Sequence, residues 1–160
     1  MKFNNDIEII FENAKDKYIE DIRHTLRTQE FLPVYDVREY IADKFLFTIR
    51  LKSNLKIIGF IFLKEAVKYN RTASLLKDGD YIIDICLKLK YRSCGKNYSS
   101  KALNVLLENK YINEKEVKRY VGLVNCGNTL ALRMLKKTNL VKLSEYTIFD
   151  GKFCIFVKEV

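Results

Sequence analysis

Residues 84–103 read DICLKLKYRSCGKNYSSKAL. Ile85, Leu87, Leu89 and Tyr91 recur at period two, which predicts one face of a strand running to about Lys90. Past a basic, glycine-bearing turn, Ala102, Leu103, Leu106 and Leu107 recur at helical spacing. A strand that passes through such a turn straight into a helix leaves the N–H groups of the first helical turn, here about Cys94 to Ser99, pointing outward. Those donors, with a macrodipole worth roughly half a positive charge, favour a bound phosphoryl group.

Working outward, KIIGFIFL at 56–63 is apolar nearly throughout, as suits a central strand covered on both faces. It pairs in expectation with Phe45 to Leu51 through a turn at Lys52-Ser53-Asn54-Leu55. The polar stretch Glu65 to Asp80 predicts a loop leading to the strand that begins at Tyr81. Toward the N-terminus, Ile7 to Phe11 predicts a short strand, Asn13 a cap for a helix over 14–27, and Asp36 a cap for a second helix to about Asp43. Downstream of the Ser99 to Lys110 helix come a strand at Arg119 to Val124 and a helix at Asn128 to Lys137 with Leu132 and Leu135 inward. A closing hairpin runs over Val141 to Phe149 and Lys152 to Val157 around Asp150-Gly151.

At 160 residues, with 48% hydrophobic and 31% charged residues, the chain has the size and balance of one globular domain, so a single domain over 1–160 is expected. No apolar run reaches the ~20 residues needed to span a bilayer, and MKFNNDIEII has no signal-peptide pattern, so no membrane partner and a cytoplasmic location are expected. Cys86, Cys94, Cys126 and Cys154 form no C-x-x-C pair and His24 is the only histidine, so free thiols and no metal are expected. Cys94, beside Lys96 and Arg92 at a helix start, is a loop-filling residue in the first instance. The net charge of +9 and pI of 9.3 suit an acidic partner, but Lys and Arg are dispersed and no nucleic-acid-binding motif accompanies them.

The stretch 84–103 resembles the acyl-coenzyme A loop of the GNAT superfamily of N-acetyltransferases, especially the branch of ribosomal-protein N-terminal acetyltransferases. That branch reads E-I-G-Y, then a proline, then G-K-G-Y-A-T-E-A-L. Asp84-Ile85 stand for E-I, and Gly95-Lys96-Asn97-Tyr98-Ser99-Ser100-Lys101-Ala102-Leu103 for the loop and helix start. Asn97 replaces a usual glycine and Tyr91 the proline; Asn tolerates a left-handed backbone better than most residues. The superfamily's R/Q-x-x-G-x-G/A pattern would begin at Arg92 or at Cys94, and only the second register turns Ala102 and Leu103 inward. A second motif, VNCGNTLALRMLKKTNL at 124–140, is similar to V-x-x-x-N-x-x-S/A-x-x-x-L/Y-x-K-x-G-F through Val124, Asn128, Ala131, Leu135 and Lys137. With the order of elements, the resemblance covers nearly the whole chain. It implies a GNAT α/β (α+β) fold, a mixed, mostly antiparallel sheet of about seven strands flanked by about four helices.

The resemblance further implies acetyl-CoA as co-substrate and an amine as acceptor, a protein N-terminus, a lysine or a small molecule, attacked directly in a ternary complex. The cofactor would lie along Leu87, Leu89 and Tyr91, with a backbone N–H near Leu89 holding the thioester oxygen. Arg92, Cys94, Gly95, Lys96, Asn97, Tyr98 and Ser99 would surround its phosphates, and Asn128 and Lys137 would reach it from the other side. Asp84 takes the family's acidic position and is the first candidate base, its other reading being a strand aspartate bonded to backbone; Glu65 is the second. A lysine-like amine has a pKa near 10.4, so a base is required at neutral pH. The family's usual proton donors fall at Leu135 and Ala131, which leaves Tyr98, Tyr120 or Tyr146 to supply the acid. The missing donor keeps open an alternative of another class: a weakly active or inactive acyl-CoA-binding module with an acidic partner such as RNA or the ribosome. A monomer or homodimer is expected.

Overall fold

The apolar run seen at 56–63 becomes β3 (Ile57–Glu65), in which Ile58, Phe60, Ile61, Phe62 and Leu63 are all buried. Burial on both faces follows from its place inside a seven-stranded sheet. The structure is a computed structural model that describes residues 6–28, 36–66, 75–92, 94–148 and 151–160. Along the chain come β1 (Ile7–Glu12), α1 (Ile19–Arg27), α2 (Val37–Ala42), β2 (Phe45–Leu51), β3, β4 (Asp80–Leu87), α3 (Tyr98–Leu107), β5 (Tyr111–Ile112), β6 (Lys115–Glu116), β7 (Arg119–Asn125), α4 (Thr129–Leu135), β8 (Val141–Ile148) and β9 (Gly151–Glu159). The sheet order is β1-β2-β3-β4-β7-β9-β8, antiparallel everywhere except between β4 and β7. The expected architecture is therefore present.

Period two distributes the two faces. On one, Phe47, Ile49, Ile61, Leu63, Ile83 and Leu87 pack under Ala102, Leu103, Leu106 and Leu107 of α3 and Leu135 of α4. On the other, Leu46, Phe60, Phe62 and Cys86 pack under Ile19, Ile22 and Leu26 of α1 and Val37 and Ile41 of α2. Ala102 and Leu103 point inward, as the register beginning at Cys94 requires, and Ser100 is buried beside them.

Several local expectations are corrected. Asn13 caps no helix; Lys15–Tyr18 form a short 3₁₀ turn and Tyr18 precedes α1. Asp36 does cap α2, accepting the Glu39 N–H at 3.3 Å. The strand expected to reach Lys90 ends at Leu87, and Leu89–Tyr91 form a 3₁₀ turn with Leu89 64% exposed. The reason lies in Arg92, whose Nε donates to the Leu87 carbonyl at 2.8 Å and folds the chain back at that point. Asp80, expected in the loop, opens β4, and residues 111–116 form an unforeseen hairpin. The expected turn at Asp150 lies outside the described residues, as does the middle of the 65–80 loop.

Candidate functional site

Asp80 and Arg119 hold the site's frame. Both are buried, and the guanidinium meets the carboxylate through Nε at 3.0 Å and Nη2 at 2.6 Å. This pair joins the first residues of β4 and β7, whose parallel pairing runs only over Asp80↔Arg119, Tyr81↔Tyr120 and Ile82↔Val121. Each strand continues on its outer neighbour, β4 on β3 as far as Leu87 and β7 on β9 as far as Asn125. The sheet thus splits into a V that opens toward the turn before α3.

The backbone along the V follows from the pairing. Lys88 N–H donates to Ile58 O at 2.8 Å, so Cys86 and Asp84 share that phase and turn their backbone groups to β3. Ile85 and Leu87 turn theirs to the cleft. The Leu87 carbonyl is taken by Arg92, which leaves the Ile85 and Leu87 N–H groups on the cleft side as donors. Leu89, near which a cleft donor was expected, has left the strand.

At the open end, Gly95 (φ +79°) and Asn97 (φ +55°) are both left-handed. Asn97 holds the conformation that the replaced glycine would hold, and a Cβ on Gly95 would meet nothing within 4 Å, so the backbone there is open to close approach. Cys94 to Asn97 are exposed, Lys96 among them, and the α3 N-terminus follows. Lys137 Nζ donates to Asn97 Oδ1 at 2.8 Å and Ser100 Oγ to Met134 O at 3.1 Å, so the two sequence motifs meet. Asn128 Oδ1 accepts the Ala131 N–H at 3.1 Å as the α4 cap. Tyr91 and Tyr98 pack edge to face at 6.1 Å, and Ser99 is half-buried beside them.

Arg92, expected near phosphate, donates through its guanidinium to Leu87 O, Thr25 O, Thr28 O and Thr28 Oγ1. It caps the C-terminus of α1, where a cation also suits the helix dipole.

On the α1/α2 face, Asp84 sits opposite Phe62 and accepts a hydrogen bond from Tyr40 Oη of α2 at 3.1 Å. Burial raises the Asp84 pKa above its ordinary value, while the Tyr40 bond and the Lys44 and Lys64 ammonium groups pull it part of the way back. Tyr40 is in turn held against Phe62, with ring centroids 5.2 Å apart, and Lys44 Nζ lies 4.0 Å from its centroid. Sequence reasoning passed over Tyr40; its position between Val37 and Ile41 on the apolar stripe of α2 was the available signal.

The other candidates separate. Glu65 lies opposite Tyr81 on the α3/α4 face, pairs with Lys115, and lines a cavity of about 310 Å³ with Glu12, Asp43 and Lys15, at the opposite end of β4 from the Gly95 loop. Tyr146 stacks on Phe153 at 5.6 Å and packs on Ile82, Val121 and Ile155, on the same sheet face as Asp84. Tyr120 is excluded as an acid: it is fully buried, its hydroxyl donates to Asn109 O at 2.8 Å, and burial raises its pKa. Leu135 is a core residue of α4, 3% exposed. Among the described residues no helix is long and apolar enough to cross a membrane.

A central parallel pair that parts into a V, with a left-handed loop and helix N-terminus at its mouth, decides the comparison. The chain has the GNAT acetyltransferase fold. AAC(6')-Ib, solved with paromomycin and acetyl-CoA, is similar over 97% of this chain and 94% of its own at 15% identity, with a TM-score of 0.75. A GNAT-family acetyltransferase from Bacillus anthracis matches over 97% and 95% at 17% identity and a TM-score of 0.68. A spermidine N-acetyltransferase chimera built from Vibrio cholerae and human sequences matches over 97% and 96% at 13% identity and 0.65. No protein-family model matches the chain, and no curated protein does so significantly. Within this GNAT fold, the V opens between β4 and β7 and the α1/α2 face carries Asp84.

Proposed function

We propose that the chain is an acetyl-CoA-dependent N-acetyltransferase that transfers the acetyl group to a primary amine by direct attack in a ternary complex. The V between β4 and β7, closed at one end by Asp80–Arg119 and open at the Gly95–Asn97 loop, carries this reading. An extended pantetheine arm can add to β4 as a short strand and take the Ile85 and Leu87 N–H groups. One of these donors stabilises the thioester oxygen as it gains charge, an effect worth a few kcal/mol when preorganised. The coenzyme's phosphates lie over the N–H groups of Gly95 to Ser99, with Lys96 and Lys137 near them and Asn128 across the groove.

Asp84 takes the proton of the incoming ammonium, directly or through water, and Tyr40 orients its carboxylate. A carboxyl with a raised pKa is a better base than an ordinary aspartate, because its basicity lies closer to that of the amine. Tyr146, on the same sheet face, and Tyr98, packed against Tyr91 beside the loop, are the remaining candidates to protonate the leaving thiolate. Acceptors range over protein N-termini, as in the ribosomal-protein branch, lysines, and small amines of the kind that the aminoglycoside and spermidine enzymes act on.

One observation favours a second reading. Leu135 is buried in the core, so α4 offers no donor at the family's usual place, as in a weakly active or non-catalytic acyl-CoA-binding module. Thermal shift with acetyl-CoA and with CoA, then thiol release with a panel of amines, separates the two. Stabilisation with turnover supports the enzyme, and stabilisation without turnover on any amine supports the module. No stabilisation by either cofactor overturns both, and tight binding by Gly95→Val refutes the proposed phosphate seat.

A further inference from the structure

The four cysteines look independent along the chain, yet the fold places Cys126 Sγ 2.7 Å from Cys154 Sγ. Cys126 lies in the turn after β7, where its N–H donates to Lys152 O of β9 at 2.8 Å. Cys154 lies on β9 opposite Val124 and, across the other edge, opposite Glu145 of β8. Cys126 is half-buried and reachable from solvent, whereas Cys154 is 3% exposed. The Cys154 thiol faces Glu145 Oε1 at 3.9 Å, and Lys142 and Lys152 bracket that carboxylate at 2.5 and 2.7 Å. An accessible sulfur and a buried partner in contact with it, beside the Lys142–Glu145–Lys152 cluster, are the parts of a thiol–disulfide exchange site.

We propose that Cys126 and Cys154 form a reversible dithiol–disulfide pair. Its oxidant is a small disulfide of the glutathione class. Cys126, as thiolate, attacks one sulfur of that disulfide, forming a mixed disulfide and expelling the first small thiolate. Cys154 then gives its proton to solvent and attacks the Cys126 sulfur, forming the internal S–S bond and expelling the second. The two cysteines lose two electrons and two protons, and the small disulfide is reduced to two thiols. The contact needs to shorten by only about 0.7 Å to reach the bonded length of about 2.04 Å. Closure ties the turn that carries Asn128 to β9. Cys86, buried beneath α1, and Cys94, exposed in the loop before α3, lie apart from the pair.

The test incubates the reduced full chain with oxidised glutathione, alkylates the remaining thiols under denaturing conditions, and reads intact mass and linked peptides. The expected product has lost two thiols and two hydrogens and contains a Cys126–Cys154 linked peptide that dithiothreitol removes. Cys94→Ser should leave that peptide unchanged. Cys154→Ser should instead retain a glutathione adduct on Cys126, with circular dichroism confirming the fold. The proposal is overturned if all four thiols of the wild-type chain remain free, if its Cys126 stops at the mixed adduct, or if the internal bond joins a different pair.

Discussion

Asp84 shows how one side chain is shaped by opposing terms. It stands on β4 under α2, where burial works against its charge while Tyr40, Lys44 and Lys64 work for it. The raised pKa shows that burial prevails. For a carboxyl whose folded pKa lies above its unfolded one, the stabilising contribution is full below the unfolded pKa and is lost as pH rises through the folded pKa. At neutral pH the burial of Asp84 therefore weighs against the fold. Asp84→Asn, which still accepts from Tyr40, should raise the melting temperature at pH 7, and the gain should shrink as pH falls through the raised pKa. The same variant should lower kcat/KM by about 10²-fold or more, the usual loss of a general base. The wild-type acid limb should lie above the ordinary aspartate range, and unchanged turnover in the variant would remove Asp84 from the mechanism. Cys86, on the same face, shows burial outweighing its compensation: despite a Phe60 backbone bond and the nearby Arg92, its thiol is pushed up to about 12.

At the scale of the element, the turn from β4 to α3 rests on two left-handed residues and one long-range bond. Asn97 takes φ +55° at the start of α3 and receives Lys137 Nζ from beyond α4. A non-glycine residue without a locally bonding polar group costs roughly 1–2 kcal/mol in that conformation. Asn97→Leu should lose about that much in denaturant unfolding and should shrink the acetyl-CoA-induced thermal shift. Asn97→Gly should stay near wild type in stability. Equal losses in both variants would show that the Lys137 bond matters more than the backbone. The β3–β4 pair has its own requirement, since a Cβ on Gly59 would lie 2.4 Å from Cys86 O. Only glycine lets β4 approach there, just before the strand ends at Leu87.

Across the whole molecule, the Asp80–Arg119 pair decides where the sheet stays closed. Removing one partner of a buried ion pair leaves the other charged and unpaired, at a cost of about 3–5 kcal/mol. Arg119→Met should show that loss in equilibrium unfolding, and the Arg119→Met, Asp80→Leu double variant should recover much of it. A single variant within 1 kcal/mol of wild type would place the hinge of the V elsewhere.

Local pattern carried most of the element types and the loop. Period two in β4, the continuous apolar run of β3, helical spacing in α3, the Asp36 cap and a left-handed Asn97 are legible because each depends on residues a few positions apart. The failures share a cause. Leu89 and Tyr91 keep the strand period, yet Arg92 reaches back to Leu87 and across to Thr28, and tertiary bonding overrides the local preference. Tyr40 on Asp84, Cys126 on Cys154 and Arg119 on Asp80 join residues 28 to 44 positions apart. No window of sequence holds both partners of such a contact, so side-chain periodicity yields the strand, the helix and the turn between them. The setting of Asp84, the thiol pair and the hinge exist only once the sheet brings distant strands side by side.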